Sequence, residues 1–91
     1  MKIARNELHV LGVGTVEEIR AAITATPDAR EQRSLQNELS VALARDAGGV
    51  PVRVYKRCTV QYGYKGLQGW YLTPWLAAAA YLELIGFTDE G

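Results

Sequence analysis

The chain has one cysteine, one histidine and no surplus of either charge, and each shortage closes off a class of function. Cys58 alone rules out an internal disulfide and a thiolate zinc cluster, and suits a reducing compartment. Ten basic side chains cancel ten acidic ones, so no global field draws the protein to nucleic acid or to an anionic membrane. The longest apolar stretch, Pro74 to Leu82, is too short to span a bilayer. No charged segment leading into an apolar run opens the chain, so we expect no signal peptide, no membrane partner and a cytoplasmic location. Aromatic residues are missing before Tyr55, and lysine and arginine are missing after Lys65.

Catalytic groups are equally sparse. His9 and Cys58 are the one possible base and nucleophile, but Cys58 falls in an alternating apolar run and is expected to be a small buried hydrophobe, unreactive. His9, in a mostly apolar stretch, reads as a structural histidine. Glu17 and Glu18 point about 100° apart on a helix, and Glu31 and Glu38 read as solvated. No His, Cys or acid cluster has metal-ligand spacing, so neither a metal nor a cofactor is expected, and the chain reads as non-enzymatic. Gly12-Val13-Gly14 lies before a helix, yet the third glycine of a phosphate-binding turn falls on Glu17, whose charge would repel phosphate. Gly63-Tyr64-Lys65-Gly66 matches the GXXG loop of KH domains by letter, but here it lies between strands.

What is present is enough apolar residue for a single small domain: 91 residues, 48% hydrophobic. Residues 7–14 read either as a short strand or as the end of a short helix starting near Lys2. Thr15 and Glu18 form a capping box, and Val16, Ile19, Ala22 and Ile23 give the apolar face of a helix over 16–25. Thr26-Pro27-Asp28 repeats the start signal, with Thr26 as N-cap, and predicts a helix over about 28–46. Its apolar stripe is Leu35, Leu39, Ala42 and Leu43; Arg30, Arg33, Ser34 and Asn37 fall on the opposite face, and Gly48-Gly49 closes it. From Val50 the period changes to two. One long strand through Tyr62, a turn at 63–66 and a return over 67–72 are expected, because no Gly, Pro, Asn or Asp marks a break near Lys56-Arg57. Thr73-Pro74 starts a last helix ending at Ile85, with Gly86 and Phe87 as a Schellman stop. The fold class is therefore α+β: two helices, a two-stranded β-hairpin and a C-terminal apolar helix, with a short N-terminal strand as an option.

That last helix is apolar all round and must be covered on more than one side, which points to a homodimer through Trp75, Ala78, Ala79 and Leu82. The remaining candidates are basic and aromatic. Arg53, Lys56, Arg57 and Lys65 interleave with tyrosines, of which Tyr55 and Tyr64 are expected to be exposed while Tyr62 and some of Trp70, Tyr71 and Trp75 fill the core.

The segments Thr15-Val16-Glu17-Glu18-Ile19, Arg33 to Leu39, Ala47 to Val52 and Gly69 to Pro74 together resemble the winged helix-turn-helix domain of biotin-repressor-type and DeoR-type bacterial regulators. The resemblance spans about residues 15–74. It implies that the second helix enters the major groove of duplex DNA with Arg33, Ser34 and Asn37 on the reading face, and that the hairpin is a wing with Lys56, Arg57 and Lys65 near the backbone. A nucleic-acid-binding or transcription-regulating module is thus one expectation. A phage or mobile-element inhibitor of a host protein complex, anti-CRISPR-like and acting by protein–protein interaction, is the other, resting on small size, neutral charge and surplus aromatics.

Overall fold

The computed structural model describes residues 14–88 together with the backbone of residues 2 and 3. The elements are β1 (Lys2–Ile3), α1 (Val16–Ala25), α2 (Ala29–Asp46), β2 (Pro51–Lys56), β3 (Thr59–Tyr64) and α3 (Pro74–Leu84). The fold is α+β, in the order helix, helix, hairpin, helix. The strand-or-helix reading of 7–14 falls largely outside the described residues, as do His9 and the Gly12-Val13 pair. β1 lies antiparallel to β2, and β2 to β3, in a three-stranded sheet.

α1 begins as the capping box requires. The Thr15 hydroxyl accepts the Glu18 backbone N–H at 3.1 Å, and the Glu18 carboxylate accepts the Thr15 N–H at 3.2 Å. The Thr15 N–H, and the Thr15 hydroxyl donating to the same carboxylate at 3.0 Å, favour its charged form, so Glu18 titrates below its ordinary value. Thr26 is not the N-cap of α2: it caps the C-terminus of α1, and Asp28 caps α2 by accepting the Arg30 N–H at 3.1 Å. Gln32 reaches back to donate to the Thr26 carbonyl at 2.6 Å, while Arg45 donates to the Gly14 carbonyl at 3.1 Å. α1 is therefore tied to α2 near both of its ends.

α2 has two apolar sides because it has two helical neighbours. Leu39 and Leu43 line the α1 side with Ile23 and are half-buried, as is Leu35. The fully buried residues Val41 and Ala44 face the other way and join Tyr64, Ala77 and Ala78 in the main core. The expected stripe thus captured one of the two contacts, with Ala42 alone among its members fully buried. Ala44, Ala77 and Ala78 have no exposed surface; residues this small allow α2 and α3 to approach closely. α2 ends in a Schellman motif, with Gly48 at φ +87° and the Gly49 N–H bonded to the Ala44 carbonyl at 2.8 Å. α3 ends the same way: the Phe87 N–H bonds to the Leu82 carbonyl at 2.9 Å, and Gly86 has φ +70°.

The hairpin differs from the sequence expectation. Lys56 pairs with Thr59, so the chain reverses at Arg57-Cys58, and residues 63–66 are not the hairpin turn. Both turn residues have positive φ, +50° and +66°, the left-handed region a two-residue hairpin loop demands. The early turn reverses the phase of everything after it. Val54 lies opposite Gln61 and Tyr55 opposite Val60, so Val54 and Val60 are on different faces, and Cys58 is exposed rather than buried. Gly63 serves a close approach instead of a turn: a side chain there would meet the Trp70 ring at 3.2 Å. The expected return strand at 67–72 is reduced to one bridge, Tyr71 to Tyr62, with both N–H···O bonds at 2.8 Å.

Candidate functional site

The hairpin concentrates charge that the whole chain cancels. Between Val50 and Gly66 stand Arg53, Lys56, Arg57 and Lys65, and no acid. Lys56, Arg57 and Lys65 are exposed, and Tyr55 exposes 63% of its surface. Arg53, half-buried, lies over the Tyr55 ring at 5.3 Å from its centre, which holds that ring's orientation while leaving much of it in solvent. A two-residue loop is the shortest that can reverse a strand pair, so Arg57 is held at the extreme tip. The tip can therefore present two cations and a tyrosine face to an anionic or π-stacking partner.

Tyr64 takes no part in that surface. The turn places it on the face that meets α3, where it is 4% exposed and stacks on Tyr81 with ring centres 4.9 Å apart. Burial, with a smaller contribution from Tyr81, pushes its phenol up to about 12. It is a core residue, contrary to the exposed role expected when residues 63–66 were read as the turn.

Arg30, Arg33 and Ser34 are exposed on the first turns of α2, and Asn37 is half-buried. α3 packs against both α2 and β3, so the arginine face and the hairpin belong to different layers of the fold. Gly49, next to Tyr64, brings the sheet close to the C-terminal end of α2. Arg33 lies about 20 Å along the axis from that end. The two expected groups are therefore separate patches on one molecule.

Of the expected dimer residues, Ala79 alone is exposed. Ala78 is completely buried within the chain and offers nothing to a second copy; Trp75 and Leu82 pack against the same core. The reason is that α3 covers α2 and β3 with one side, leaving the other side to solvent. Sequence reasoning passed over Leu76 and Leu84 on that outer side, 51% and 57% exposed, and Leu72 just before the helix, 68% exposed. The eight-residue spacing of Leu76 and Leu84 within the helix was the signal available. Trp70, one of three aromatics of which some were expected to fill the core, is 39% exposed and walls a groove of about 380 Å³ with Val52, Gly63, Leu67 and Lys65.

Among the described residues no group of three or more His, Cys, Asp or Glu is placed to hold a metal ion, and no helix is long and apolar enough to cross a membrane. No protein-family model, no curated protein and no solved structure matches the chain.

Proposed function

We propose that the protein is a small nucleic-acid-binding module of winged-helix type that grips duplex DNA with the β2–β3 hairpin and reads it with the N-terminal turns of α2. The observation that carries this reading is the hairpin tip: exposed Lys56 and Arg57 beside exposed Tyr55, in a segment with no acid. Each cation set against a phosphate releases a counterion, so a compact basic tip confers affinity on a chain of zero net charge. Arg33, with a rigid fork of donors, suits a base edge; Lys56 and Lys65 suit phosphates.

Electrophoretic shifts and fluorescence anisotropy across a salt series test the proposal. Lys56→Ala should weaken binding to all sequences alike and flatten the log–log salt slope by about one unit, whereas Arg33→Ala should cost about 1–3 kcal/mol and relax sequence preference. Failure to retard any duplex at tens of micromolar protein and low salt overturns the reading. One observation favours a second reading, a phage-type inhibitor of a host protein: Trp70 and Tyr55 are exposed aromatics of the kind that anchor protein interfaces. Capture of a protein partner that survives nuclease treatment and is lost in Trp70→Ala supports that reading over the first.

A further inference from the structure

The sheet has a second face. Tyr62 and Tyr64 point from β3 toward the core that α3 covers, and side chains alternate along a strand, so Val52, Lys56 and Gly63 belong to the opposite face. There the Trp70 ring rests on Gly63, 3.2 Å from where a side chain would begin, which fixes its position against the strand. The residue is nonetheless 39% exposed, and it walls the groove of about 380 Å³ that Val52, Leu67 and the exposed Lys65 also line. Gly66 lines it too, and a Cβ there would meet nothing within 4 Å, so the space is unfilled.

We infer that this groove holds one unpaired base of a single-stranded nucleic acid, stacked on Trp70 with its phosphate against Lys65. Charge is the first argument. Between Asp46 and Glu83 the chain has no acid, so Lys65 sets the sign of the groove. The lining is the second: an indole with apolar neighbours suits a planar ring, and a single cation suits a single phosphate. An acidic peptide would satisfy the charge but not its own backbone. Val52 and Gly63 already pair within the sheet, and the Lys65 and Leu67 N–H groups are bonded to the Val50 and Tyr64 carbonyls at 2.9 Å, so these residues offer a peptide no ladder. A base needs none, because its polar edge can stay in water while its face stacks. A duplex does not fit, since neighbouring pairs cover its base faces. The volume lies near the low end of small-ligand sites, about 300–1,000 Å³, and suits one nucleotide. For the next phosphates of the strand, Lys56 lies on the same face, four residues or about 13 Å from Val52. The groove shares its lysines with the duplex reading, but Trp70 is its own, so the two are tested apart.

Titration with an oligothymidylate of about ten nucleotides at low salt should quench the indole fluorescence, and anisotropy of the labelled strand should give the affinity. Trp70→Ala should weaken that binding about five- to a hundredfold and abolish the quenching, while leaving retardation of a blunt duplex unchanged. Lys65→Ala should flatten the single-strand log–log salt slope by about 0.7. Should Trp70→Ala melt early, Trp70→Phe keeps a ring on Gly63 and should retain most of the affinity, while the surface change Lys65→Glu should lose it. No quenching by the strand, equal binding by Trp70→Ala, polyglutamate competing as well as the strand, or thymidine monophosphate binding as tightly as the strand overturns the inference. A duplex bound without the strand removes this site and leaves the hairpin reading standing; a strand bound through Trp70 without the duplex does the reverse.

Discussion

The Arg57-Cys58 turn stores strain that two substitutions should release. Both residues occupy the left-handed region, at φ +50° and +66°, where a side chain beyond glycine costs roughly 1–2 kcal/mol by contact of Cβ with the following carbonyl. Asn-Gly is the pair best suited to this loop, since asparagine tolerates the first position and glycine the second without a Cβ. Glycine gives back about 0.5–1 kcal/mol through the freedom it adds to the unfolded chain. Arg57→Asn with Cys58→Gly should then stabilise the fold by about 1–1.5 kcal/mol. For a domain of this size that raises the melting temperature by about 5–10 °C. Calorimetry or urea melts followed by circular dichroism read the change, and Cys58→Ala is the control: it removes the thiol but keeps a Cβ, so it should gain nothing. An unchanged or lower melting temperature in the double variant, or an equal gain from alanine, would refute the strain argument. Cys58→Gly alone retains Arg57, so it should raise stability and leave nucleic-acid affinity intact, whereas Arg57→Asn should lower the affinity. The native pair would then be a case in which a functional tip is kept at the expense of stability.

Two further outcomes test the core. Ala78→Glu buries an unpaired carboxylate and should destabilise by about 3–5 kcal/mol, enough to unfold much of the protein, while Ala79→Glu, one residue on and exposed, should shift stability by less than about 0.5 kcal/mol; circular dichroism melts separate the two. Because the Tyr64 phenol is raised to about 12 in the fold, the unfolded chain loses its proton first as pH rises. Its contribution is fully present below about pH 10 and is lost between about pH 10 and 12, on the order of 2 kcal/mol in total. Alkaline melts should show that extra loss, and absorbance titration a late phenol, both disappearing in Tyr64→Phe.

The helices were legible in the sequence because their signals are local. Thr15 with Glu18, Thr73 with Pro74, Gly48 and Gly86 each act through atoms a few residues away, so the pattern carries the geometry with it. The one shift among the start signals, from Thr26 to Asp28, arose where two helices share three residues and Thr26 was already committed to closing the first. The hairpin was legible as strand but not in register. Its turn carries none of the residues that favour positive φ, and what holds it there is distant: Tyr64 must reach Tyr81, and Gly63 must lie beneath Trp70. A register set by tertiary contacts leaves no mark at the turn itself, and the misplacement carried Cys58 and Tyr64 to the wrong sides with it. Burial on α3 was misread for a related reason. An apolar face all round the helix says that something covers it, but only the packing of Ala77 and Ala78 on α2 tells inside from outside.

One hairpin segment offers four cations, Arg53, Lys56, Arg57 and Lys65, and if all four meet phosphates the salt slope is at most about −3.6 on a log–log scale. Lys56→Ala should take about one unit from it. A wild-type slope steeper than about −3.6 would show that cations outside the hairpin, such as Arg30, also meet phosphate, and would refute a grip by the hairpin alone.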